Sequence, residues 1–307
     1  MNRRTAIVTV LIVVQLVIVG AMFRSFDSIG ALFSPKVAEA AVSDRVMKTL
    51  DVDGAAHVAI DDDTADITIA VGPDARVAVD EETTQRGASD DRTPLVIQKT
   101  PDGVRIARAA SHNHFHFQFH FGRVERALRV TVPINSRIDV LSARNIAVAG
   151  LQSTVSLHSD NGKIAVRDHR GDIEATSDNG MIDLRDVAAS NITASADNGR
   201  IVLTNVHTKA LSVSSDNGRI EASRTLATSG KVESSNGRVE LGFDRGADLT
   251  VTATTSSGKV HATAPLSAIA PDGADDDHPR TVKIGNGSGQ LEVTSDNGSI
   301  YISSMGA

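Results

Sequence analysis

A four-residue signature returns through the second half of the chain at intervals near 19 residues. Ser-Asp-Asn-Gly ends at Gly162 (with Asp160, Asn161) and at Gly180 (Asp178, Asn179), and Ala-Asp-Asn-Gly ends at Gly199 (Asp197, Asn198). The signature recurs at Gly218 (Asp216, Asn217), as Ser-Ser-Asn-Gly at Gly237 (Asn236), as Ser-Ser-Gly at Gly258, and intact at Gly298 (Asp296, Asn297). With weaker equivalents at Arg144 and Arg280, the intervals are 18, 18, 19, 19, 19, 21, 22 and 18. A fixed period of this length is the mark of a solenoid, in which each repeat is one structural unit.

The residues around each Gly set the type of solenoid. Two positions on stand Ile164, Ile182, Ile201, Ile220, Val239, Val260 and Ile300, and four positions on stand Val166, Leu184, Leu203, Ala222, Leu241, Ala262 and Ile302. A second apolar pair precedes the next Gly, as in Ile173/Ala175, Ile192/Ala194, Leu211/Val213, Val251/Ala253 and Leu291/Val293. Period-two alternation puts both apolar residues of a strand on one face, so each repeat reads as two short strands joined by turns. One repeat cannot bury that face alone, whereas repeats stacked ~4.8 Å apart align the aliphatic columns into a continuous core. Eight intervals make a stack of roughly 38 Å at that spacing. The fold class expected is therefore all-β: a β-solenoid of short two-strand coils across residues 144–304.

Asn-Gly suits the corner on the ground that both residues tolerate positive φ. Stacked corners would let Asn161, Asn179, Asn198, Asn217 and Asn236 form a side-chain ladder. Asp160, Asp178, Asp197 and Asp216 would stack like charges. Relief could come from Asx-turn bonds, from the Lys163, Arg200, Arg219 and Arg238 column, or from calcium. Calcium-binding rolls place several oxygens in each nine-residue motif, whereas this repeat brings one Asp per coil and Ser235 interrupts the column. Turn chemistry is thus the preferred reading.

Residues 45–143 read as a non-repetitive β cap that covers the first coil. The strand signals are His57–Ile60, Asp66–Val71, Arg76–Val79, Leu95–Lys99, Gly103–Ala107, His114–Phe121 and Ala127–Pro133. The charged stretch Glu81–Arg92 reads as punctuation between them. In His112–Phe121, alternation puts Phe115, Phe117, Phe119 and Phe121 on one face and His114, His116, Gln118 and His120 on the other. His114, His116 and His120 are the candidate metal ligands, because imidazoles ~7 Å apart along one strand face suit zinc, nickel or copper once a carboxylate joins. The same histidines also fit a wet strand face or a pH-sensitive contact. No other cofactor is indicated.

Arg3 and Arg4 precede an uncharged run from Thr5 to Phe23. Nineteen residues span roughly 28 Å as a helix, close to the hydrocarbon thickness. Residues 1–24 are expected to be a cytoplasmic stub and signal anchor, 25–44 a linker, and the remainder a single-pass ectodomain outside the cell membrane. The alternative is secretion after cleavage at Ala38-Glu39-Ala40, although this site lies far beyond the apolar run.

The formal net charge of −7 argues against nucleic acid as a partner. Zero Cys excludes disulfides, thiolate metal sites and Cys nucleophiles. His-Glu-x-x-His, Gly-x-Ser-x-Gly and a P-loop are all missing, and no paired-carboxylate cluster is visible. Ala264–Pro279, with Pro265, Pro271 and Asp275–Asp277, interrupts the repeats as an exposed insertion loop. Because the chain ends soon after Ile300-Tyr301-Ile302, that terminal edge should be covered by the loop or by another subunit in a homo-oligomer.

Val130-Thr131-Val132-Pro133, the Ile146–Gly150 start and the repeated Ser-Asp-Asn-Gly-Lys/Arg-Ile strands resemble the bacterial putative-adhesin family of β-strand-repeat envelope proteins. The resemblance covers roughly residues 50–304. It implies an envelope setting and a non-enzymatic role, and it transfers no catalytic residue. The reading that results is a membrane-anchored, outward-facing binding or structural module for an envelope protein or polymer. An envelope sensor reading metal or protons through the His strand is the alternative, followed by a polysaccharide-active enzyme.

Overall fold

The computed structural model describes residues 42–52, 54–72, 75–86, 93–108, 123–244, 246–263, 266, 268–269 and 279–304. Their regular structure is entirely β. None of them forms a helix long and apolar enough to cross a membrane. The expected membrane segment Thr5–Phe23 and the strand His112–Phe121 lie outside the described residues.

In chain order the strands begin with β1 (Val42–Asp51), β2 (His57–Val71), β3 (Arg76–Arg86), β4 (Leu95–Thr100), β5 (Gly103–Arg108), β6 (Arg123–Val132) and β7 (Arg137–Ala149). There follow β8 (Val155–Ser159), β9 (Lys163–Arg170), β10 (Ile173–Ser177), β11 (Met181–Ala196), β12 (Arg200–Asn217), β13 (Ile220–Asn236) and β14 (Val239–Phe243). The last are β15 (Leu249–Ser257), β16 (Val260–Ala262), β17 (Ala268–Ile269), β18 (Arg280–Ile284), β19 (Gly289–Asn297) and β20 (Ile300–Ser304).

The coil carried by β12 shows the unit. It lies parallel to β11 and β13, with Ile201 paired to Ile182 and Ile220, Val206 to Val187 and Thr225, and Val213 to Ala194 and Val232. Its pairing falls into three runs, Arg200–Thr204, Val206–Thr208 and Ala210–Ser215. The coil thus has three faces, where two strands per repeat were expected. The second face is only three residues long, too short to register as a period-two signal. Inward side chains are almost fully buried, among them Ile201, Leu203, Val206, Leu211 and Val213. Each contributes about 2–3 kcal/mol of gross hydrophobic stabilisation.

The two principal corners follow different rules. Between the first and second faces, Asp168, Asp186, Asn205 and Arg224 take positive φ of 51°, 53°, 55° and 51°. None of the Asn-Gly corner residues does, so positive φ is not why this motif sits between the third and first faces. Glycine is needed there for contact. A Cβ on Gly199 would lie 1.7 Å from the carbonyl oxygen of Gly180, and one on Gly218 would lie 1.6 Å from that of Gly199.

Spatial order departs from chain order at both ends. β19 lies between β13 and β15, and β20 between β14 and β16, all in parallel register. Ile300 and Ile302 are therefore fully buried, which corrects the expectation that they form a terminal edge. Arg280 is no coil corner either, because β18 runs antiparallel to β15, and β17 runs antiparallel to β18. Most of the remaining 264–279 loop, including Asp275–Asp277, lies outside the described residues.

At the other end, β5 and β6 lie parallel to the two halves of β2, which lies parallel to β7. The region 57–143 therefore supplies coils of its own, although it lacks the signature. β7 runs unbroken through Arg144, where the repeats were expected to begin. Only β4, antiparallel to β5, and β3, antiparallel to β6, close the stack, with β1 antiparallel to β3. Glu81–Arg86, expected as punctuation, continues β3 as strand.

Candidate ligand-binding groove

The short second face produces a concavity. Outward positions on successive coils are Ala188, His207 and Leu226, followed two residues later by Ser190, Lys209 and Thr228. With Ala189, Thr208 and Ala227 between them, they floor a groove of about 670 Å³. Gly171 and Asp172 bound it on one coil, and at the other end stand Ser288 of the inserted coil and Gly246–Asp248 beside it. The four steps from Gly171 to Ser288 span roughly 19 Å at ordinary strand spacing.

The carboxylates at the groove ends are engaged. Asp172 accepts bonds from the backbone N–H of Ser190 (3.0 Å) and Asn191 (2.9 Å) and from the Asn191 amide (2.8 Å). The Asn191 side chain and backbone accordingly hold its pKa below the ordinary carboxylate value. Asp248 accepts from the Ser288 hydroxyl (2.8 Å) and from the backbone N–H of Gly287 (2.6 Å), and its pKa is lowered by the same group of donors. His207 and Lys209, both exposed, stand between these two ends. The groove therefore offers a floor of small side chains with a cationic centre.

The other two faces present charged and hydroxyl side chains. Outside the first face, Arg200 and Arg219 both bond Glu221, Arg238 bonds Glu240, and Lys163 and Arg185 converge on buried Asp183. The third face presents Ser156, Thr176, Thr193, Ser195, Ser212, Ser214 and Thr294 as half-buried or exposed hydroxyls.

The corner column is a hydrogen-bonded ladder. Asn179 donates to Asn161 (3.1 Å), Asn198 to Asn179 (3.0 Å), Asn217 to Asn198 (3.0 Å), Asn236 to Asn217 (3.1 Å) and Asn297 to Asn236 (3.0 Å). Asp197 and Asp216 stand exposed beside it, and Asp178 is half-buried. The basic column Lys163, Arg200, Arg219 and Arg238 turns instead to the acids of the first face. Asp160 alone of these four shows a side-chain partner, His158 at 3.0 Å. Among the described residues no three His, Asp or Glu side chains converge on a point that would hold a metal. His114, His116 and His120 lie outside those residues.

Residues 55–303 match the family described as Toastrack DUF4097. The chain belongs to the Toastrack family. This agrees with the resemblance that the repeats carry. No curated protein matches the chain. Among solved structures, the Toastrack chain is similar to a putative adhesin from Parabacteroides merdae ATCC 43184, at 11% identity, covering 84% of this chain and 95% of that one, with a TM-score of 0.49. It is also similar to a putative adhesin from Parabacteroides distasonis ATCC 8503 (12% identity, 84% and 97% covered, TM-score 0.48). A putative lipid binding protein from the same strain is similar at 13% identity, with 85% and 97% covered and a TM-score of 0.46.

Two charged clusters of the Toastrack domain escaped sequence reasoning. Arg108, nearly buried, bonds Asp62 at 2.7 Å and also Glu81, while its Nη1 donates to the Thr93 carbonyl at 2.7 Å. Both carboxylates are thereby committed to one guanidinium. His57 joins Asp102 through Nδ1 (3.1 Å) and Asp139 through Nε2 (2.6 Å). Burial opposes its charged form, yet bonds from Asp102 and Asp139 outweigh burial and raise its pKa above the ordinary 6.5. Neither cluster could be found from sequence, because each joins residues that only the coil stack brings together.

Proposed function

We propose that this Toastrack chain is a non-catalytic binding module of the bacterial envelope. In this reading Thr5–Phe23 anchors it and the β-solenoid faces outward. The groove on the second face receives an extended ligand, a polymer strand or peptide carrying an anionic or hydroxyl-rich group. The observation that carries this reading is the groove itself, where small side chains admit a backbone closely and Lys209 and His207 stand between engaged carboxylates. A proton-transfer role for Asp62 and Glu81 is disfavoured, since Arg108 holds both.

The test is binding of the full chain to acidic polysaccharides, neutral glycans and extended peptides. Ala188→Trp fills the groove from an exposed position, and Lys209→Glu reverses its central charge. Each should weaken binding about tenfold or more, whereas Thr193→Arg on the third face should not. Binding that survives both groove variants and fails with Thr193→Arg would transfer the role to the third face.

A further inference from the structure

β1 carries an edge that the rest of the described chain does not use. It pairs only with β3, and its residues are exposed except for half-buried Leu50. Val42 is 66% exposed, Val46 45% and Met47 69%, making three of the six exposed large apolar side chains among the described residues. A long edge strand that exposes apolar side chains among its charges is a template for a further strand.

The sequence of β1 specifies which strand. Val42-Ser43-Asp44-Arg45-Val46-Met47-Lys48-Thr49-Leu50 mirrors itself in chemistry about Val46. Placed antiparallel against a second copy with Val46 opposite itself, Asp44 faces Lys48 of the partner subunit and Ser43 faces the partner's Thr49. Val42 then faces the partner's Leu50, and Arg45 the partner's Met47. Apart from Arg45 against Met47, apolar meets apolar, hydroxyl meets hydroxyl and acid meets base, the cross-strand matches that favour a register. Within its own chain Lys48 donates to the Ile97 carbonyl (2.7 Å), and Arg45 bonds Asp80 (2.6 Å). Both side chains are thereby held in place along the strand.

We propose that β1 is a homodimerisation strand, joining two copies through an antiparallel β1–β1 pair centred on Val46. The sheet then continues from β6 through β3 and β1 into the second copy. On the face continuous with buried Val77 and Val79, apolar pairs of Val42, Val46 and Leu50 from both copies then alternate with Asp44–Lys48 pairs.

The chain has no cysteine, so a single introduced thiol reports on its own geometry. In full-length protein, Val46→Cys places two thiols on the symmetry axis, where opposed Cα atoms lie within disulfide range. Ser43→Cys places them roughly 20 Å apart at ordinary strand rise. Mild oxidation should cross-link Val46→Cys about tenfold more than Ser43→Cys. Adding Asp44→Lys, which sets Lys against Lys, should reduce that yield, and Asp44→Lys with Lys48→Asp should restore it. Equal cross-linking at both sites, none at Val46→Cys, or a monomeric unmodified chain by light scattering at micromolar concentration would each overturn the proposal.

Discussion

Asn297 donates its side-chain amide to Asn236 at 3.0 Å, although 61 residues and the β15–β16 coil separate them in the chain. The corner ladder thus follows neighbours in space. Leu291, Val293, Ile300 and Ile302 of the inserted coil are buried between coils made earlier in the sequence.

Deleting Gly289–Ser304 should therefore cost far more than removing a terminal coil. The four buried side chains alone represent about 10 kcal/mol of gross hydrophobic stabilisation. β15 loses its parallel partner and keeps only antiparallel β18, so amide protection at Thr250 and Thr252, which face β19, should fall sharply in hydrogen exchange. Retained protection would mean that β15 can close directly onto β13.

The corner glycines should tolerate no side chain. Gly199→Ala is expected to destabilise by about 3 kcal/mol or more, since the new Cβ collides with fixed backbone. Gly246→Ala meets nothing closer than 4.0 Å and should be close to neutral. Chemical denaturation of the two variants provides the comparison.

Arg224 holds a φ of 51° where equivalent corners use Asp or Asn. Arg224→Asn should stabilise by about 1 kcal/mol, because Asn enters the left-handed region at lower cost. A fall in midpoint would mean that contacts of the Arg side chain outweigh backbone strain.

Two histidines should tilt the pH profile in opposite directions. The raised His57 pKa means that its stabilisation is complete below about pH 6.5 and is lost as pH rises through the folded value. His169 is buried, with no hydrogen-bond partner at either ring nitrogen. Burial lowers its pKa despite the nearby backbone of Gly171 and Ser153, so its effect on stability worsens as pH falls below about 6.5. Melting curves from pH 5 to 8 should show that His57→Gln removes the alkaline-side loss. His169→Val, which matches Val187 and Val206 in the same column, should remove the acid-side loss.

The repeat period, the aliphatic columns and the Asn corner were legible because each repeats a local pattern. The order of coils was not, since the apolar pair Leu291/Val293 fits beside Val232 as well as beside Val251 or Val282. The second face escaped because its inward residues, His169, Val187, Val206 and Thr225, are chemically mixed. The positive-φ corner left a faint trace in Asp168, Asp186 and Asn205, which Arg224 then hid. The groove is floored by Ala188, Ala189 and Thr208, residues that announce no chemistry until stacking aligns them.

The inserted coil also governs the life of the nascent chain. Synthesis runs from the N-terminus, so β13–β14 and β15–β16 leave the ribosome before the strand pair that belongs between them. Until Gly289–Ser304 emerges, two parallel edges face an empty slot shaped for one repeat. On a polysome, the repeats of the next chain present the same aliphatic columns and the same Asn. Gly289–Ser304 of the same chain is the strand pair whose register fills that slot.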